Sequence, residues 1–347
     1  MADKTKIEWT DATWNPITGC SVVSPGCTNC YAMKLAGTRL KHHPSRAGLT
    51  NPSKAGPVWN GKVTFNEQWL DQPLRWKKPR MIFVCAHGDL FAENVPDEWI
   101  DKVFAVMALC PQHTFQVLTK RADRMREYLS DLPVKQSDIY SQLLTIALPR
   151  NLGRPVANWF PLTNVWLGVS VEDQTRADER IPALLDTPAV VRFISAEPLL
   201  GPVELDEHLN TECWGDCAHC DKGHRPLHNC HQGRQSNEDF LKGRSGLDWV
   251  IVGGESGRDA RPMHPDWALS LLEQCQTSSV PFFFKQWGEF SGGGRMPKGW
   301  YSSQNQPLKL GYHDWSDGVR SFRVGKTVAG RLLNGCEWSE MPEVSNG

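Results

Sequence analysis

Val165-Trp166-Leu167-Gly168-Val169-Ser170 is an apolar run that ends in Val171-Glu172-Asp173. A helical pattern fills Asp173 to Leu185, with Pro182 placed to kink it. The next apolar run, Val191 to Ser195, ends in Ala196-Glu197-Pro198. A short apolar run, a polar end, a helix and another apolar run make one βαβ unit, whose two strands lie parallel and buried on both faces. The unit recurs along the chain. Trp14 to Gly19, Met81 to Ala86, Thr114 to Thr119, Trp249 to Gly253 and Pro281 to Phe284 are further runs. The first is the weakest, because Pro16 and Thr18 dilute it. Pro96-Asp97-Glu98 opens a helix whose Trp99, Ile100, Val103, Phe104 and Met107 share one face, and Pro265 to Cys275 carries Trp267, Leu271, Leu272 and Cys275 on one side.

The expected fold class is therefore α/β, a complete or partial parallel (β/α) barrel of six to seven strands, with an open parallel sheet as the alternative. The ends of the runs favour the barrel, since a barrel gathers its chemistry at the C-terminal ends of its strands. These ends are Cys85-Ala86-His87-Gly88-Asp89, Thr119-Lys120-Arg121, Ser170-Val171-Glu172-Asp173, Ser195-Ala196-Glu197, Gly253-Gly254-Glu255 and Lys285-Gln286-Trp287. The core is expected over 1–204 and 247–287, with a basic insertion at 41–80. A Cys/His-rich insertion spans 205–246 and a C-terminal cap 288–347.

A hydrophobic content of 40% over 347 residues supports a sizeable core, and a net charge of −1 sets up no global field for nucleic acid. Met1 to Trp9 is polar, without the apolar segment of a secretory signal, and no apolar run reaches membrane-spanning length. A cytoplasmic location without membrane attachment is expected, and in that reducing setting the 11 cysteines point to metal binding rather than disulfides. Many of the 15 tryptophans adjoin Gly, Pro or Asn, so they read as loop anchors or as stacking platforms.

The first run leads into Gly19-Cys20-Ser21-Val22-Val23-Ser24-Pro25-Gly26-Cys27-Thr28-Asn29-Cys30-Tyr31. Three thiolates in one loop suit three irons of a [4Fe–4S] cube, leaving the fourth iron open to a non-protein ligand. A zinc site with its fourth ligand elsewhere, or three buried thiols, are the other readings of the spacing.

A cysteine loop after a first barrel strand resembles the radical S-adenosylmethionine (radical SAM) superfamily. A longer resemblance rests on Ile7 to Pro16, the cysteine loop, His113 to Arg121, Trp166 to Glu172, Glu197 to Gly201 and Val252 to Gly257. These stretches look like the phage gene-product thirty-seven/sixty-eight family of three-Cys-motif, radical-SAM-like proteins. That resemblance implies a [4Fe–4S] cluster on Cys20, Cys27 and Cys30, with SAM as cofactor and an electron donor as partner. Cleavage of SAM would initiate hydrogen abstraction, with DNA, RNA or a nucleotide as substrate in modification or repair. The alternatives are a radical SAM enzyme on a peptide or small metabolite, and a non-catalytic metal-stabilised binding protein on a degenerate barrel.

The resemblance also suggests roles in binding SAM. Asp89 would take its amino group, Ser170 and Glu172 its ribose, and Lys120 and Arg121 its carboxylate or a substrate phosphate. Glu197, Glu255 and Lys285 would face the mouth as catalytic candidates. Plainer readings stand beside these: a helix-opening acid or a surface loop residue for Asp89, a helix cap for Glu172, exposed helix-start charges for Lys120 and Arg121, and a buried ion pair for Glu197, Glu255 and Lys285. Three departures from the superfamily pattern stand out. The first cysteine gap has six residues rather than three, Asn29 precedes the last cysteine where an aromatic is usual, and Gly253-Gly254-Glu255 follows the sixth run rather than the second.

Cys213, Cys217, Cys220 and Cys230, with His219, His224, His228 and His231 nearby, read as a tetrahedral structural zinc site or an auxiliary Fe–S cluster. Cys85, Cys110, Cys275 and Cys336 are scattered and read as structural. Lys34, Arg39, Lys41, His42, His43, Arg46, Lys54, Arg75, Lys77, Lys78 and Arg80 interleave with Trp59, Trp69 and Trp76. Such a mixture suits a nucleic-acid track or a solvated face.

Overall fold

The computed structural model describes residues 5–130, 132–150, 161–209, 246–293 and 311–343. Seven strands form one sheet: β1 (Ala12–Trp14), β2 (Met81–Val84), β3 (Thr114–Thr119), β4 (Val165–Ser170), β5 (Val191–Ala196), β6 (Trp249–Gly253) and β7 (Phe282–Gln286). Every neighbouring pair is parallel and the spatial order equals the chain order, with β1 and β7 on the outside. Sequential order with parallel pairing requires each crossover to return on the same face of the sheet. The architecture is a partial (β/α) barrel.

The sheet is curled. Trp9 lies 4.9 Å from the Phe83 ring of β2 and 6.2 Å from the Trp249 ring of β6. In a flat sheet those strands would stand about 19 Å apart, four strand spacings. Trp9 thus closes the N-terminal end of a concave face built from Trp166, Phe193, Trp249, Ile251 and Phe283. Gly168 leaves room on that face, since a Cβ there would come within 2.6 Å of the Phe193 ring. The alternate residues, Val117, Val169, Ile194, Val250, Val252 and Phe284, face outward to the larger core.

Helices α1 (Tyr31–Gly37), α2 (Asp97–Ala108), α3 (Ala122–Ser130), α4 (Leu132–Ala147), α5 (Gln174–Leu185) and α6 (Pro265–Thr277) connect these strands. Ile100, Val103, Phe104 and Met107 of α2, Ile181 and Leu184 of α5, and Leu271, Leu272 and Cys275 of α6 bury their apolar stripes in the outer core. Asp173 caps α5 by accepting from the Arg176 amide at 2.9 Å, so Glu172 is released from that duty. The helix runs on through Pro182.

One expectation shifts. The first strand lies upstream of Trp14 to Gly19, because Pro16 has no N–H to donate and ends it. Ile17–Thr18 then turns away to pair antiparallel with Thr64–Phe65. The described part of the C-terminal segment lies against the sheet. Besides two small hairpins, it runs Trp338 and Glu340 along the outer edge of β7, through Phe284 N to Trp338 O at 3.0 Å and Glu340 N to Phe282 O at 3.2 Å. That covers an edge that would otherwise invite pairing with another chain. Several tryptophans are anchors, as Trp14, Trp249, Trp287 and Trp338 each donate Nε1 to a backbone carbonyl. Among the described residues no helix is long and apolar enough to cross a membrane.

Candidate metal centre

Strand alternation decides which side chains meet at the mouth. Trp166 and Gly168 face inward on β4, so Ser170 and Glu172 follow them. The same step of two takes Phe193 to Ser195 and Glu197 on β5, Trp249 and Ile251 to Gly253 and Glu255 on β6, and Phe283 to Lys285 on β7. Each polar residue thus continues the concave face at its C-terminal rim. Ser170 and Ser195 are register partners and both are buried.

The cysteine loop lies across this rim. Gly19 bridges to Gly88 beyond β2, and Cys30 caps the start of α1. Ser24 Oγ donates to Glu172 Oε1 at 2.7 Å. Asn29 Nδ2 donates to Glu255 Oε2 at 3.0 Å and to Asp259 O at 2.7 Å. Arg121 Nη1 reaches Cys20 Sγ at 3.4 Å, while its Nη2 donates to Ser21 O at 3.0 Å and Ser21 Oγ at 2.6 Å. Gly26 packs against Glu172 so closely that a Cβ would fall 2.3 Å from Oε1. The loop is therefore tied to the ends of β3, β4 and β6.

Cys20, Cys27 and Cys30 are unbridged. Burial, then the nearby Asp89 carboxylate, pushes the Cys20 thiol up to about 12, and burial raises Cys30 despite hydrogen bonds from the Met33 and Ala32 amides. These two sulfurs would gain by exchanging a proton for a soft cation, which inverts the penalty of a buried thiolate. The only group of three potential ligands among the described residues whose atoms all lie within 4.8 Å is His264, Asp266 and Asp317. The three sulfurs are therefore spread more widely than a zinc tetrahedron, whose edges are about 3.8 Å for bonds of about 2.3 Å. Thiolates that each take a different iron of a cube need not approach one another so closely.

The carboxylates are engaged. Asp89 accepts from the Phe91 amide at 3.0 Å, Thr119 Oγ1 at 2.7 Å, the Lys120 amide at 3.1 Å and Arg121 at 3.2 Å. Glu172 is fully buried and pairs with Lys120 and with Arg180 at 3.0 Å. Burial alone would raise its carboxyl, yet these two cations and the Ser24 hydroxyl hold it below the ordinary range. Arg261 does the same for Glu255 through a fork of 2.9 and 2.8 Å, against burial. Glu197 and Lys285 pair at 2.6 Å, and both keep some exposure at the mouth.

The structure thus brings together Cys20, Cys27, Cys30, Asp89, Lys120, Ser170, Glu172 and Glu255, with Glu197 and Lys285 on the same rim. Sequence reading missed Ser24, Asn29, Arg180 and Arg261, and also Glu93, which accepts from Arg121 Nε at 3.0 Å and from Ser21 Oγ at 2.6 Å. Arg180 had a signal, being two helical turns beyond Glu172 on the face of α5 that returns to the sheet. Trp59 and Trp76 are buried, and Trp69 stacks on His43, so these rings anchor the basic insertion. Cys85, Cys110 and Cys275 are buried, while Cys336 is exposed. Cys213, Cys217, Cys220 and Cys230 lie outside the described residues.

No curated protein and no solved structure was found to match the chain. One family model does match, over residues 4–342, and its description is a protein of unknown function, DUF5131. A match of that extent takes in the strands, the cysteine loop and the rim, and the chain belongs to the DUF5131 family.

Proposed function

We propose that this protein is a radical-SAM-like [4Fe–4S] enzyme of the phage gene-product thirty-seven/sixty-eight type, acting on a nucleic acid or nucleotide. The observation that carries the reading is the latching of a three-cysteine loop across the C-terminal mouth of a parallel partial barrel, through Ser24 to Glu172 and Asn29 to Glu255. Cys20, Cys27 and Cys30 would hold the cluster, which when bound supplies the electron that splits SAM and so begins hydrogen abstraction. Asp89, Lys120, Glu172 and Arg121 act as scaffold for the loop, because their charges already satisfy one another. Glu197 and Lys285 each have one side-chain partner and meet substrate at the rim. The hydrophobic floor of Trp9, Phe193 and Trp249 keeps water from entering through the sheet.

A second reading follows from the pairing of every mouth carboxylate with a cation, which leaves no idle base. It is a metal-stabilised binding protein. Anaerobic reconstitution separates the two. Four irons per chain, an EPR change on adding SAM, and 5′-deoxyadenosine formation that requires Cys20, Cys27 and Cys30 are expected. Zinc without iron, and intact SAM, would sink the enzyme reading.

A further inference from the structure

Arg46 stands apart from the paired charges of the mouth. It is only 4% exposed, and its hydrogen bonds, from Nη1 to Ser45 O at 3.1 Å and Ser45 Oγ at 2.7 Å, involve no charge. Nε is buried without a partner, and the guanidinium rests over the Trp69 ring at 5.9 Å. Among the described residues no carboxylate pairs with it; burial, opposed only by Tyr31, lowers it to about 10. His87, just past the end of β2, is similar. Its Nδ1 is buried and unpartnered, and its ring meets the Tyr31 ring edge-on at 5.7 Å. Burial and the Arg46 charge keep that imidazole neutral near pH 7. Ser45 O, which Arg46 bonds, also accepts from Thr18 Oγ1 at 2.6 Å, and His87 O accepts from the Gly19 amide at 3.2 Å, so Arg46 and His87 both lie against the segment that leads into Cys20. Tyr31, whose hydroxyl donates to Ala86 O at 2.7 Å, directly follows Cys30.

A buried guanidinium remains charged and costs several kcal/mol when nothing opposes it. An oxyanion removes that cost by accepting charge-assisted hydrogen bonds. We propose that Arg46 and His87 form an oxyanion site beside the cysteine loop, taking the phosphate or carboxylate group of the molecule that acts at the mouth. The site rests on the mouth being the working end of the barrel and requires no metal.

Calorimetric titration of the full chain, before and after cluster reconstitution, with inorganic phosphate and with acetate, tests this. Binding of one of these to wild type, weakened at least tenfold in Arg46→Gln and partly restored in Arg46→Lys, is expected. Preference for phosphate assigns the site to a phosphate-bearing ligand, and preference for acetate to a carboxylate. Should Arg46→Gln fail to fold, His87→Asn is expected to weaken the same titration several-fold. Equal binding by wild type and these variants, or no binding by either anion, overturns the proposal. Neither result bears on the iron and deoxyadenosine measurements, so the two readings fail separately.

Discussion

Ser24 and Glu172, 148 positions apart, share a 2.7 Å hydrogen bond that fastens the cysteine loop to the end of β4. Glu172 also neutralises Lys120 and Arg180, so one buried carboxylate connects the loop, two strand ends and helix α5.

Glu172→Gln is expected to destabilise the fold by about 3–5 kcal/mol, because it leaves two cations at a buried site without their counter-charge. Urea unfolding reads the loss directly. An unchanged midpoint would mean that the network is solvated in solution.

Acid should expose the same network. Glu172 and Glu255 have folded pKa values below the unfolded value of 4.5, and Glu93 lies near 2. Their contribution is present above pH 4.5 and is lost as pH falls through the depressed folded values. Thermal melts between pH 6 and pH 2 should decline below pH 4.5, and Glu172→Gln should flatten part of that decline.

Gly26→Ala drives a methyl group into the Glu172 carboxylate. The neighbour is held by three partners and yields only by giving some of them up, so a cost of about 1–3 kcal/mol is expected. Reconstituted iron should drop with it. The readout is iron per chain alongside the melting temperature, and full iron loading would contradict the latch.

Gly168→Ala acts on the floor rather than the rim. Its methyl would overlap the Phe193 ring, and about 1–3 kcal/mol of overpacking is expected. Iron per folded chain should stay at the wild-type level, which distinguishes a core defect from a loop defect.

Alkylation at pH 8 of the metal-free protein, followed by peptide mapping, should label Cys336 first among the cysteines of the described residues. Cys20, Cys85 and Cys110 are held at about 12 by burial. At pH 8 about one in ten thousand of such thiols is ionised, and the thiolate is the reacting form. Fast labelling of Cys20 would show that the loop opens in solution.

The strands were legible because each is a short apolar run with a polar end, and alternation alone carried Glu172, Glu197, Glu255 and Lys285 to one rim. The first strand was misplaced because the run around Ile17 is apolar for a different reason: it pairs antiparallel with Thr64–Phe65 and buries Ile17 in the outer core. The loop anchors were not legible. Ser24, Asn29 and Arg261 have no periodicity of their own, and their roles exist only once the sheet has curled. The basic insertion showed its charges, but not that Trp59 and Trp76 face inward, since a tryptophan within a basic stretch reads alike as anchor or platform.

The distance along the chain between the loop and its anchors has a consequence for biosynthesis. Asn29 leaves the ribosome 226 residues before Glu255. At about 5–20 residues per second, the interval is on the order of ten to forty-five seconds. Throughout it the rim is incomplete, since Arg121 and Glu172 emerge earlier but the Asn29 anchor on Glu255 comes last, and the three thiols face oxidants and stray metals, so the timing of metal supply matters as much as its amount. Pulse alkylation of nascent chains should find Cys20, Cys27 and Cys30 open until the sixth strand has emerged.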